Sequence, residues 1–133
     1  MQDAGGLALS LVPAAHARVV ALTGDLGAGK TTFAQAFAKA LGVDEHVTSP
    51  TYVIEKRYPL TNQKFAHLVH IDAYRLADAD ELRKLDWSAA AADPSNLIII
   101  EWADKVAELI PEDATQITLT YVDETTRSVS YGN

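Results

Sequence analysis

The stretch Val19-Val20-Ala21-Leu22-Thr23-Gly24-Asp25-Leu26-Gly27-Ala28-Gly29-Lys30-Thr31-Thr32 decides the fold. Gly24 to Thr31 fits G-x-x-x-x-G-K-[ST] without a gap. It lies between an apolar run and a helical pattern, the strand-loop-helix context of a phosphate-binding loop. A phosphate chain is wrapped by backbone N–H groups, so side chains must be absent where the backbone comes close, and glycine meets that need. The helix that follows offers unpaired N–H groups and the positive end of its dipole. Lys30 is then expected to reach the β- and γ-phosphates and the Thr31 hydroxyl to bind Mg²⁺, a hard cation that takes oxygen ligands and keeps several waters. The plain alternative is a glycine-rich turn with a chance lysine, and both flanks weigh against it.

Outward from the loop, residues 18–23 read as a strand buried on both faces. From Lys30 to Leu41, Phe33, Phe37 and Leu41 recur every four positions beside Ala34 and Ala38, which predicts an amphipathic helix ended by Gly42. Residues 1–18, rich in Ala, Gly and Leu with Pro13 among them, read as a short helix or an extended arm. Thr48-Ser49-Pro50-Thr51-Tyr52 is a hydroxyl-rich loop in which Thr51 or Ser49 could sense a γ-phosphate, unless both are ordinary turn formers.

Tyr52–Tyr58 and Phe65–Asp72 read as antiparallel strands joined across residues 59–64. Asp72 ends the second of them, well placed for a metal or water contact if that strand borders the phosphate-loop strand, and otherwise only a turn former. Asp78 caps a helix predicted to run to about Ala91, with Leu82, Leu85 and Ala89 on one face, and Asp93-Pro94 stops it. Its acids are explained by capping and the helix dipole.

Leu97-Ile98-Ile99-Ile100-Glu101-Trp102 is the second strong signal. Four aliphatics ending in an acid resemble a Walker-B strand, which delivers a carboxylate beside a phosphate loop to hold Mg²⁺ directly or through water. Trp102 is either a core or rim aromatic or a group that closes over the nucleotide. A short helix at 103–109 and a terminal hairpin, 115–122 with 127–131, complete the pattern, the hairpin covering a sheet edge. The expected fold class is α/β: a P-loop NTPase fold with a mainly parallel central sheet, flanking helices and antiparallel hairpins at the edges.

The 133 residues amount to one domain's worth, 1–133, with 48% apolar and 22% charged residues, as in an ordinary globular protein. A net charge of −7 argues against nucleic-acid binding through the overall field, and Lys56-Arg57 reads as a solvated face. With no cysteine, a disulfide framework and a thiolate zinc site are excluded. His16, His46, His67 and His70 have no metal-ligand spacing as a set. No apolar run approaches the ~20 residues that span a bilayer and no basic leader precedes residue 18, so a cytoplasmic location is expected.

The phosphate loop, Ser49-Pro50-Thr51-Tyr52, His70-x-Asp72-x-Tyr74-Arg75 and Glu101-Trp102, in this order, make the chain from about Val19 onward resemble the bacterial TsaE (YjeE) family. That resemblance implies a small ATPase, converting ATP to ADP, required for making threonylcarbamoyladenosine in tRNA. It implies Thr31 and Glu101 as Mg²⁺ ligands and needed roles for Thr32, Asp72 and Trp102; the expected catalytic set is Lys30, Asp72 and Glu101, with either Asp72 or Glu101 orienting the attacking water. The ATP-binding residues implied are Gly24, Asp25, Leu26, Gly27, Ala28, Gly29, Lys30, Thr31, Thr32, Thr51 and Trp102. Hydrolysis is expected to reset or activate a TsaD-TsaB partner pair that performs the transfer, with tRNA reached only through those partners. Three departures stand out. Family members usually begin with an extra strand and an acidic-threonine segment near the adenine, whereas this sequence starts after it, which leaves the adenine contacts unassigned. Asp86 stands where a glycine is usual, and Asp104 where a longer acid is common.

A small-molecule or nucleotide kinase is the main rival. It calls for an arginine-bearing lid, and Arg18, Arg57, Arg75, Arg83 and Arg127 form no such cluster. A GTPase lacks its Asn-Lys-x-Asp guanine reader here. A nucleotide-dependent binding module that barely hydrolyses differs chiefly in turnover.

Overall fold

The computed structural model describes residues 4–24, 29–43, 55–74, 76–123 and 126–132, the last stretch from 120 in backbone only. Asp25 to Ala28, the Ser49–Tyr52 loop with Thr51, and Arg75 lie outside the described residues.

Six strands form one sheet in the order β2-β3-β4-β1-β5-β6. They are β1 Arg18–Gly24, β2 Glu55–Pro59, β3 His67–Asp72, β4 Asn96–Glu101, β5 Thr115–Asp123 and β6 Thr126–Gly132. β3, β4, β1 and β5 run parallel, with Val20 opposite Ile99 and Val20 opposite Thr115. At the two edges β2 is antiparallel to β3 and β6 to β5. This is the mixed sheet expected, hairpins closing both ends of a parallel centre.

The parallel strands are apolar on both faces because helices cover both. Alternate residues feed two cores. Val20, Leu22, Leu68, Leu97 and Ile99 pack with α1 (Ala4–Ser10) and α2 (Lys30–Ala40) through Leu7, Phe33 and Phe37. Val19, Ala21, Val69, Ile71, Ile98 and Ile100 pack on the other face with Leu82, Trp87 and Val106. Each fully buried Leu or Ile contributes roughly 1.5–3 kcal/mol. Residues 1–18 thus contain a helix rather than an extended arm, since Leu7 and Ala8 are buried under α2's side of the sheet.

α2 ends as its sequence predicts. Gly42 takes φ +84, its N–H bonds to the Lys39 carbonyl at 3.0 Å, and the Val43 N–H reaches the Ala38 carbonyl at 3.1 Å. That is the paired hydrogen bonding of a Schellman cap.

One expectation is corrected. The single helix from Asp78 to Ala91 is two helices, α3 (Ala79–Arg83) and α4 (Trp87–Ala92). Asp86 breaks the run with φ +62, ψ +34, which rotates Trp87 and Ala90 inward and leaves Leu85 and Ala89 exposed. Capping of α3 is as expected, with the Asp78 carboxylate accepting from the Glu81 N–H at 3.3 Å. The condition attached to Asp72 is not met, because β3 borders β4 and not the phosphate-loop strand β1. Asp72 therefore comes to the site as the register partner of Glu101. A 3₁₀ helix, Ala103–Leu109, follows β4. Among the described residues no helix is long and apolar enough to cross a membrane.

Candidate functional site

Parallel strands deliver their C-terminal ends to one edge of the sheet, where an open α/β sheet leaves a crevice. Here that edge gathers Gly24 from β1, Asp72 from β3 and Glu101 from β4, with the start of α2 above them.

Gly24 is required for a reason the motif alone does not give. Its φ is +136, and a Cβ added there would lie 2.0 Å from the Leu119 carbonyl oxygen of β5. The first glycine of the motif thus lets β1 and β5 approach, a packing role in addition to the expected exposure of backbone to phosphate. Gly29 sits at the N-terminus of α2 with φ +94, and its carbonyl accepts from the Phe33 N–H at 2.8 Å. This left-handed turn starts the helix at Lys30 with no side-chain cap among the described residues, and the positive end of the helix dipole there favours an anion.

Lys30 is only 5% exposed. Its ammonium donates to the Gly24 carbonyl at 3.0 Å and lies 4.0 Å from the centroid of the Trp102 ring. Burial of an ammonium is tolerated only with such partners. Trp102 reaches that position through a left-handed backbone, φ +58, directly after β4, and its ring also meets Tyr74 at 5.0 Å. Between core aromatic and closing group, Trp102 is half-buried at the rim, over the lysine.

The Thr31 hydroxyl donates to Glu101 Oε1 at 3.0 Å, joining residues seventy positions apart. A hydroxyl that gives its proton to a carboxylate turns lone pairs toward a cation, so the pair forms a hard-oxygen donor set suited to Mg²⁺ held with nucleotide phosphates. Among the described residues no group of three or more His, Asp or Glu could hold a metal by itself. Such a set is not needed, because Mg²⁺ in phosphate sites uses one or two protein ligands plus phosphate oxygens and water.

Glu101 is 2% exposed and its second oxygen is bonded as well, with Oε2 2.6 Å from Nε2 of the fully buried His70. Asp72 is half-buried, and its Oδ1 accepts the Tyr74 N–H at 2.9 Å in an Asx-type turn. The Ala73 N–H bonds to the Glu101 carbonyl at 3.0 Å, and Lys105 ties the Tyr74 carbonyl at 2.8 Å. Thr32 is exposed on the first turn of α2. The structure therefore brings together Gly24, Gly29, Lys30, Thr31, Asp72, Glu101 and Trp102. The contact of His70 with Glu101 was missed in the sequence. The available signal was its place two residues before Asp72, on the same face of a strand.

A parallel sheet whose central strand turns through glycine into a helix beginning Lys-Thr, with an acid from the neighbouring strand bonded to that threonine, defines a P-loop NTPase fold. Comparison narrows this further. The family profile described as "Threonylcarbamoyl adenosine biosynthesis protein TsaE" matches residues 2–129, and the chain belongs to the TsaE family.

The tRNA threonylcarbamoyladenosine biosynthesis protein TsaE of Bacillus subtilis (strain 168) is 35% identical over 127 residues, covering 93% of this chain and 77% of that protein. The protein of the same name from Streptomyces coelicolor is 39% identical over 102 residues, covering 76% and 67% respectively. A crystal structure of Bacillus subtilis YdiB superposes with a TM-score of 0.71 at 30% identity, over 96% of this chain and 74% of that one.

Proposed function

We propose that this chain is an ATP-binding and ATP-hydrolysing accessory protein of threonylcarbamoyladenosine modification of tRNA, whose nucleotide turnover resets or activates a TsaD-TsaB transferase pair. The observation that carries the nucleotide part is the Thr31–Glu101 hydrogen bond beside the Lys30 ammonium at the start of α2. The names of the relatives support the pathway.

In this reading Lys30 leaves the Gly24 carbonyl for the β- and γ-phosphates and neutralises charge developing on the transferring group. Thr31 and Glu101 would hold Mg²⁺, which supplies charge neutralisation across the phosphates when bound. The two acids divide the remaining work by their surroundings. Glu101 is buried with each oxygen hydrogen-bonded, so it fixes the Thr31 side of the site. Asp72 is half-buried and held by a backbone N–H, so it is the acid that orients the attacking water. An acidic chain of net charge −7 meets tRNA through its partners rather than by its own field.

The test is tRNA modification reconstituted from TsaD-TsaB and an ATP-consuming synthase that supplies the threonylcarbamoyl adenylate, with and without this chain, under conditions requiring many turnovers. Repeated turnover should need the chain, and each round should release inorganic phosphate in addition to the pyrophosphate of adenylate formation. Equal multiple turnover without the chain would remove the pathway role, and no phosphate release would remove the hydrolytic one.

A further inference from the structure

We infer that His70 is a positioning residue for Glu101: its Nε2–H holds the Oε2 oxygen so that the carboxylate presents Oε1 to Thr31 and to a cation beside it. The inference rests on the nucleotide reading above and adds a residue to that site.

The geometry is specific. His70 and Glu101 lie on adjacent parallel strands, His70 opposite Ile99 and Asp72 opposite Glu101. Side chains two apart on a strand share a face, so His70, Asp72 and Glu101 all point to the α2 side, where Leu68, Leu97 and Ile99 form the core. His70 is fully buried and Glu101 nearly so, and the Nε2–Oε2 separation of 2.6 Å is that of a short, strong hydrogen bond. Its other ring nitrogen, Nδ1, is buried with no hydrogen-bond partner among the described residues. An orphaned N–H there would be worse than an orphaned lone pair, so the ring carries its proton on Nε2 and donates to the carboxylate.

The two oxygens are thus gripped from opposite sides, by Thr31 from α2 and by His70 from β3. A carboxylate on a χ-flexible stem can rotate, and it is the paired donors that select one orientation. His70 touches neither phosphate nor cation in this scheme and acts only through Glu101. Partners behind a ligating group typically change metal affinity by about 10- to 100-fold when removed.

The experiment uses the full chain and three variants. H70L fits the apolar face but has no donor. H70N keeps an amide too short to reach Oε2. H70Q places an amide N–H where Nε2 was. Binding of a non-hydrolysable ATP analogue is measured by calorimetry with and without Mg²⁺, alongside T31A, and thermal melts establish that each variant is folded. Without Mg²⁺ the histidine variants should bind like the parent. With Mg²⁺ the parent and H70Q should tighten, while H70L and H70N should lose about 10- to 100-fold of that gain. If H70L and H70N respond to Mg²⁺ as the parent does while T31A does not, the positioning role is overturned and the nucleotide reading stands. If H70Q responds as poorly as H70L and H70N, packing rather than the donor matters and the inference also fails. If the parent gains nothing from Mg²⁺, or T31A gains as much as the parent, the nucleotide reading falls and takes this inference with it.

Discussion

The ammonium of Lys30 rests 4.0 Å from the centroid of the Trp102 ring while donating to the Gly24 carbonyl. An indole face stabilises a cation by roughly 0.5–2 kcal/mol, less than a phosphate offers, so an arriving triphosphate should draw the lysine off the ring. Trp102 fluorescence should therefore change on nucleotide binding. The change should persist in W87F, which removes the tryptophan buried in the opposite core, and vanish in W102F. A signal that follows Trp87 instead would separate Trp102 from the phosphate site.

Replacing Lys30 by Ala should leave a folded protein, since alanine suits the first turn of α2 and that helix packs on the core through Phe33, Ala34, Phe37 and Ala38. Hydrogen bonds to charged groups contribute about 1.5–3 kcal/mol, so nucleotide affinity should fall about 10- to 100-fold and turnover to background. Calorimetry and phosphate release check the two halves. Normal ATPase in K30A would displace the lysine from the catalytic set.

Asp72→Asn keeps an oxygen for the Tyr74 N–H and so keeps the turn, but it loses the carboxylate. If Asp72 orients water, phosphate release should drop by about 100-fold or more with nucleotide affinity little changed. Unchanged steady-state turnover would leave Asp72 as a turn former.

Most of the sheet was legible because period and punctuation agree there. The buried runs Val19–Leu22 and Leu97–Ile100, and the spacing of Phe33, Phe37 and Leu41, each allow one economical reading. Strand order was not legible, because local pattern carries no information on which strand lies beside which. The place of Asp72 was therefore conditional on a neighbour it does not have, and the sequence put His70 on the same strand face as Asp72 without showing that Glu101 lies beside it. The helix from 78 to 91 misread for another reason. An apolar residue at 85 fits helical spacing, and the break depends on a single non-glycine residue at positive φ.

Gly24 and Gly29, the two described glycines of the phosphate loop, should respond differently to alanine. At Gly29 the cost lies in the backbone: φ is +94 and an added Cβ meets nothing within 4 Å among the described residues. G29A should cost about 1–2 kcal/mol and remain folded. At Gly24 the methyl would also strike the Leu119 carbonyl at 2.0 Å, which forces β5 away from β1. G24A should cost more than about 4 kcal/mol or fail to fold. Denaturant midpoints of the two variants measure the difference, and equal destabilisation would mean that close packing of β5 does not set the need for Gly24.

Asp86 is the one place where a departure from the family pattern can be given an energetic sign. The resemblance puts glycine there, and the structure gives Asp86 the conformation glycine favours, φ +62 and ψ +34, between α3 and α4. Its backbone carbonyl accepts the Ala90 N–H at 3.1 Å, so the first turn of α4 depends on this geometry and not on the aspartate side chain, which forms no capping bond. An L-residue in this region carries strain of roughly 1–2 kcal/mol, less for Asp than for most, while glycine loses more freedom on folding by about 0.5–1 kcal/mol. The strain slightly exceeds the entropy, so D86G should raise stability by up to about 1 kcal/mol, or a few degrees in Tm. Substitution by Val, whose branched side chain resists positive φ, should lower it by at least about 1 kcal/mol. Thermal and denaturant melts of the pair decide the matter. Should D86V prove as stable as the parent, the left-handed turn at Asp86 is not what separates the two helices.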